Sequence, residues 1–156
     1  MKDADDDGRA AAAWSLSLVG SDAEAALGTQ AERGGSWMED RLHRAARRLS
    51  RAAVMAWIKD HGNRPERLRR SLNLAGRHGD PVVMPWILGK AAIPALARLA
   101  GAAFARITGV DLEDAGLTTR PPKDLQRGPT DDPADENVAL DPDESLPVPN
   151  VAKVTA

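Results

Sequence analysis

The chain has 156 residues, of which 42% are hydrophobic and 28% charged, and this is enough for one modest core. It contains no cysteine, which excludes disulfides, iron–sulfur clusters, thiolate zinc sites and a cysteine nucleophile. The formal net charge of -2 conceals a division: residues 1–120 carry 18 Lys and Arg against 15 Asp and Glu, whereas residues 121–156 carry 3 against 8. These values predict a basic body followed by an acidic tail.

The apolar stretches of the chain do not match targeting or membrane signals. Acidic residues precede the run from Ala10 to Gly20, where a signal peptide needs positive charge. The longest apolar stretch, Ala91 to Ile107, is shorter than a bilayer span and contains Arg98 and Arg106. We therefore expect a cytoplasmic protein with no membrane association.

Helix signals follow one another through the basic body. A stripe from Met38 to Leu49 places apolar residues at spacings of three and four, which predicts an amphipathic helix. Ser50 is a suitable N-cap for the next helix, which ends at Gly62. A further helix is expected over Pro65–Gly79. These patterns predict antiparallel helix pairs joined by short turns.

A third helix pair begins at the strongest start signal in the chain. Asp80 provides a capping carboxylate, and Pro81 follows at the first helical position, where its missing N–H is not needed. Pro85 then predicts a kink, because a proline inside a helix removes a hydrogen bond and clashes with the preceding turn. The last helix is expected over Pro94–Gly109.

Two six-residue stretches of the chain are nearly identical and lie 29 residues apart. Residues 53–58 (AVMAWI) and 82–87 (VVMPWI) have Val, Met, Trp and Ile at the same positions. A period of about 30 residues in a helix-favouring context indicates a solenoid of repeated helix pairs. We therefore expect Trp57 and Trp86 to occupy equivalent, largely buried positions.

The last helix pair combines several features in a fixed order: the Asp80-Pro81 start, Pro85, Trp86-Ile87, and Arg98 followed by Leu99-Ala100. With these features the chain resembles the HEAT repeat superfamily, in particular the short bacterial HEAT-like repeats also found in phycobilisome lyases. Residues 68–140 also resemble the C-terminal end of an uncharacterised family of proteobacterial HEAT-repeat proteins. The resemblance implies an armadillo-like helical fold.

The fold class that follows is all-α, a short α-solenoid (α-α superhelix) of HEAT-like helix pairs with a disordered acidic, Pro-rich tail. The tail carries seven of the eleven prolines and has no helical apolar period, so it cannot bury enough surface to offset its ordering entropy. The predicted organisation is a disordered acidic N-terminus (1–8), a repeat domain (9–120, with a half repeat 9–20 and pairs 22–49, 50–79 and 80–109) and the tail (121–156).

The helix over 9–20 has no partner on its N-terminal side. Its apolar residues Trp14, Leu16 and Leu18 have no preceding repeat to cover them. An uncovered face of this kind is expected in a truncated form of a longer repeat protein, and it favours self-association.

Residues that carry catalytic or metal chemistry do not converge in the sequence. His43, His61 and His78 share no helix at metal-ligand spacing, and the acidic tail lacks the pattern of a calcium loop. The four tryptophans are typical of core packing, with a stacking platform for bases as the alternative. We therefore expect no catalytic residue, no metal and no cofactor.

Positive charge is concentrated in one part of the body. Residues 37–77 contain eleven Lys and Arg against four Asp and Glu. Arg44 and Arg48 lie opposite the apolar stripe of one predicted helix, and Arg67 and Arg70 lie similarly on another. Stacked side by side in a solenoid, the two rows would form one ridge.

Three interpretations of this ridge are open: a binding surface, a contact for the chain's own acidic tail, or an ordinary solvated face. The leading hypothesis is a non-enzymatic protein–protein interaction scaffold. The alternative is a nucleic-acid-binding module that uses the Arg-rich helix faces, by analogy with HEAT-like folds in DNA alkylation repair glycosylases.

Overall fold

A computed structural model describes residues 46–121 and 141–155. The helices in these ranges are α1 (Arg51–His61), α2 (Pro65–His78), a 3-10 helix (Pro81–Val83), α3 (Met84–Ala91), α4 (Pro94–Thr108) and α5 (Val151–Val154). The described ranges contain no strand and one isolated antiparallel bridge, between Thr118 and Pro149. The prediction of an all-α protein is confirmed for this part of the chain.

Several predicted features lie outside the described residues. These are the acidic N-terminus, the half repeat 9–20, the pair 22–49 as far as residue 45, and residues 122–140 of the tail. Among the helices that the structure describes, none is long and apolar enough to cross a membrane.

The chain divides into two compact units, Met1–His78 and Gly79–Ala156. In the described part of the first unit, α1 packs against α2. Ser50 caps α1 as predicted, because its hydroxyl accepts a hydrogen bond from the N–H of Ala53 at 3.2 Å. The core of this unit consists of buried aliphatic side chains: Val54, Ile58, Leu72, Leu74 and Ala75.

In the second unit, α3 packs against α4. The carboxylate of Asp80 caps the 3-10 helix by accepting from the N–H of Val82 at 2.9 Å. A new helix, α3, then begins at Met84, which places Pro85 in its first turn. Pro85 therefore does not lie inside a helix, as predicted, but at a helix start, where a proline lacks only an N–H that no helical carbonyl would accept.

The valine and the isoleucine that the two six-residue stretches share are buried in both units. Their exposures are 0% for Val54, 1% for Val83, 6% for Ile58 and 0% for Ile87, whereas Val82, which replaces an alanine, is 40% exposed. Trp57 and Trp86 fall in the same class, partly exposed with most of each side chain covered, so the prediction of equivalent, largely buried positions is confirmed. A large amphipathic ring is rarely enclosed on every side.

Residues 141–155, which we call the C-terminal segment, are folded onto the second unit. The N–H of Thr119 donates to the carbonyl of Val148 at 2.9 Å, and the N–H of Asn150 donates to the carbonyl of Leu117 at 2.7 Å. Asn150 also caps α5, which contacts α3. The prediction of disorder is therefore wrong for these residues, and the boundary expected near Arg120 does not separate them from the helices.

The physical reason for this error is that the C-terminal segment is ordered by partners that lie far away in sequence. Its own composition has no apolar period, but its backbone groups pair with residues 117–119 and its first carboxylate pairs with α4. The composition of a segment predicts whether it can fold by itself. It does not show whether a distant part of the chain provides hydrogen-bond and ion-pair partners for it.

Candidate binding surface

The turn between α1 and α2 is short and brings the end of one helix beside the start of the next. The N–H of Gly62 donates to the carbonyl of Ile58 at 2.7 Å and ends α1. The N–H of Arg64 donates to the carbonyl of His61 at 3.1 Å, and that of Arg67 to the carbonyl of Arg64 at 2.9 Å. The side chains of His61 and Arg67 therefore meet across the turn.

Trp57 connects α1 to α2 and supports this contact. Its indole N–H donates to the Oγ of Ser71 at 3.2 Å, and Ser71 is completely buried. The rings of Trp57 and His61 meet edge to face, with centroids 4.4 Å apart and planes at 71°. The imidazole is thus held on one side by an indole whose position is itself fixed by a buried hydrogen bond.

His61 orients the guanidinium of Arg67. The Nη1 of Arg67 lies 3.2 Å from Nδ1 and 3.4 Å from Nε2 of the imidazole. A guanidinium only donates hydrogen bonds, so the ring nitrogen that it contacts must be an unprotonated acceptor. The contact therefore exists only while His61 is neutral.

The charge state of His61 fits this requirement. Burial lowers the pKa of His61, and the positive charges of Arg67 and Arg64 lower this pKa further, while Asp60 acts weakly in the opposite direction. A lowered pKa keeps the imidazole neutral at neutral pH. His61 therefore serves as an acceptor that fixes one arginine of a strongly basic region.

The described part of the first unit is strongly basic. Residues 46–78 contain nine Lys and Arg and two Asp and Glu, a formal charge of +7. The exposed members of this set are Arg47, Arg48, Arg51, Lys59, Arg64 and Arg69. Charge of one sign at this density creates a potential that attracts anionic partners and accelerates their association.

The four residues predicted for the ridge have different outcomes. Arg44 lies outside the described residues, and Arg48 is exposed just before α1. Arg67 and Arg70 lie three residues apart on α2, where side chains are neighbours, and both are half-buried. Arg48 lies at the other end of the helix pair, where His78 of α2 contacts the carbonyl of Ala46. We call the arginines at the turn and on α2 the basic surface: Arg64, Arg67, Arg69 and Arg70.

The contacts of His61 and Trp57 do not follow from the sequence pattern. Histidine spacing argues against a metal ligand at His61 and favours an exposed or hydrogen-bonded histidine, but it does not identify Arg67 as the partner. In the described ranges no group of three or more His, Asp and Glu residues lies together as a metal site. The signal that points to the contact of His61 is the short turn of Gly62, Asn63 and Arg64, because two helices joined in this way bring their facing ends together.

Comparisons of the chain with protein-family models, with curated proteins and with solved structures find no match. The resemblance to HEAT repeats therefore stays a prediction.

Proposed function

We propose that the protein is a non-enzymatic interaction scaffold, built from HEAT-like helix pairs, whose basic surface binds an acidic segment of a protein partner. The observation that carries this proposal is the formal charge of +7 in residues 46–78, combined with an arginine that is already oriented by its neighbours.

An oriented arginine favours recognition of carboxylates. The planar guanidinium of Arg67 is held at 3.2 Å from the imidazole of His61, so less side-chain entropy is lost when a partner binds. Arginine can bind a carboxylate through two parallel hydrogen bonds, which adds geometric specificity to charge attraction. The exposed arginines of the basic surface contribute mainly to the association rate.

An apolar side chain on the same unit favours a protein partner over a nucleic acid. Met55 of α1 is 40% exposed, and methionine is enriched at protein interfaces because it adapts to irregular surfaces. Phosphate binding gains nothing from such a side chain, whereas a partner with acidic and aliphatic residues uses both.

The experiment compares two labelled ligands binding to the full chain: an acidic peptide rich in Glu and Leu, and a DNA duplex. Anisotropy titrations between about 50 and 200 mM salt separate them, because phosphate contacts weaken steeply with salt. We expect the peptide to remain bound at physiological salt and the duplex to dissociate. A duplex that binds more tightly than the peptide at that salt would establish the nucleic-acid alternative, and binding of neither ligand would contradict both functions.

Charge-reversal variants locate the site. The double variant Arg67→Glu, Arg70→Glu should weaken peptide binding by more than about tenfold, since charge-assisted hydrogen bonds contribute about 1.5 to 3 kcal/mol each. The matched control is the double variant Arg106→Glu, Arg120→Glu, which makes the same change of charge at two exposed arginines of the second unit. Equal losses for the two proteins would show non-specific attraction instead of a defined surface.

A further inference from the structure

The C-terminal segment begins with an ion pair to a buried arginine. Arg98, in the middle of α4, is 7% exposed. Its Nη1 donates to the Oδ2 of Asp141 at 2.7 Å and to the carbonyl of Asp143 at 3.2 Å. A buried guanidinium without an anionic partner is strongly unfavourable, so this position of α4 requires a carboxylate.

One helical turn further along α4, a glycine admits a proline of the segment. A Cβ added to Gly101 would lie 3.0 Å from the Cγ of Pro149, closer than side chains normally approach. Gly101 and Arg98 are three residues apart, so the glycine that admits Pro149 and the guanidinium that binds Asp141 are neighbours on the helix surface. Together, Arg98 and Gly101 favour a segment that carries a carboxylate at the position of Asp141 and a proline at the position of Pro149.

The backbone supplies the remaining contacts. Residues 117–119 and 148–150 exchange two main-chain hydrogen bonds, of 2.9 and 2.7 Å, around the bridge between Thr118 and Pro149. The Nζ of Lys153 donates to the carbonyl of Gly116 at 2.8 Å. Extended peptides bind protein edges in this way, with main-chain bonds for affinity and side-chain pockets for specificity.

Packing beneath the segment is incomplete. An opening of about 300 Å³ lies between α4 and the segment, lined by Ala102 and Ala105, residues 110–113, and residues 145–147. The segment therefore contacts α4 through Asp141 and Pro149 and leaves an opening to solvent between these two contacts. A peptide bound at its two ends has contacts of this kind.

We propose that α4 and residues 110–119 form a peptide-binding groove and that the C-terminal segment is its resident, separable ligand. The partner that fits the groove is an extended acidic and proline-rich segment, and a second copy of this chain carries one of identical chemistry. In such a contact, the C-terminal segment of one copy occupies the groove of the other copy. This surface is independent of the basic surface on the first unit.

The test uses the full chain with a protease site introduced into residues 126–134 and a labelled peptide that corresponds to residues 141–155. Before cleavage the tethered segment competes at a high effective concentration, so the peptide should bind weakly. After cleavage and dialysis, peptide affinity should rise by at least about tenfold. Failure of the cleaved protein to bind the peptide would overturn the proposal.

Peptide variants test the assigned contacts. Asp141→Asn should weaken binding by about tenfold or more, because the charge-assisted bond to Arg98 is lost. Glu144→Gln removes the same charge from an exposed side chain and should leave affinity unchanged. Equal effects of the two substitutions would show that only net charge is recognised, contrary to the proposal.

If cleavage unfolds the protein, amide hydrogen exchange of the intact chain tests the same proposal. The amides of Thr119 and Asn150 report opening of the segment, and those of α4 report opening of the helix. A separable ligand predicts faster hydrogen exchange at Thr119 and Asn150 than in α4. Equal protection at all of these amides would mean that the segment opens only with the core, and the proposal would be wrong.

Discussion

The two units contain the same six-residue echo, with the same valine and isoleucine positions buried, but their helix pairs are completed differently. In the first unit α1 and α2 are joined by a short turn and stabilised by contacts between them, such as the bond from Trp57 to Ser71. In the second unit α4 pairs its arginine with Asp141, 43 residues further along the chain. Similar helix pairs can therefore depend on local or on distant contacts.

The difference arises from how much of each helix is buried. The buried residues of α2 lie between Ser71 and Gly76 and leave its first half at least partly exposed. In α4, every residue from Leu96 to Gly101 is buried, so this part of the helix is covered on all sides. Part of this cover comes from the C-terminal segment, through Asp141 at Arg98 and Pro149 at Gly101.

The largest expected effect is in the local core of the first unit. Leu72 is completely buried, so Leu72→Ala should lower the free energy of unfolding by about 2 to 5 kcal/mol. Met55→Ala, at an exposed position of the neighbouring helix, is the control and should change it by less than about 0.5 kcal/mol. Urea unfolding followed by circular dichroism measures both, and a small loss for Leu72→Ala would refute the proposed core.

The distant contact of the second unit should be nearly as important. Arg98→Ala leaves Asp141 without its partner, and breaking a buried pair from one side costs about 3 kcal/mol. In a double-mutant cycle with Asp141→Ala, the two losses should not add, because both remove the same interaction. Additive losses would show that the two side chains act independently.

How far the sequence predicts this molecule depends on the range of the interactions. Caps at Ser50 and Asp80, and the helix end at Gly109, follow from local signals, and the structure confirms them. The pairing of Arg98 with the C-terminal segment has no local signal, because its two residues lie 43 positions apart and the segment has no apolar period. The basic charge is visible in composition, whereas the orientation of Arg67 by His61 requires the turn geometry.

A smaller effect distinguishes two glycines in neighbouring helices. Gly89→Ala has open space around the added methyl group and should stabilise the protein by about 0.5 to 1 kcal/mol through helix propensity. At Gly101 the same methyl group would press against Pro149 and Leu112, so Gly101→Ala should lose this gain. Thermal unfolding compares the two, and equal stabilisation would mean that the C-terminal segment does not lie against α4.

The smallest expected effect concerns pH and belongs to the first unit. Since the pKa of His61 is lowered in the folded state from its ordinary value of 6.5, the neutral form contributes stability that is complete above this value. This contribution is lost as pH falls below 6.5 through the folded-state pKa. His61→Gln should therefore show a flatter stability profile between about pH 7.5 and 5.5 than the parent chain. Parallel profiles would exclude a role of His61 as a neutral acceptor.

We propose that the basic surface of the first unit binds an acidic protein segment, and a backbone amide NMR titration of the full chain tests this binding residue by residue. The titrant is an acidic peptide that lacks proline and so does not match the groove of the second unit. We expect the largest shift changes at Arg64, Arg67 and Arg70, with little change at residues 117–119 and 148–150. Shifts confined to the second unit, or no shifts at all, would contradict it.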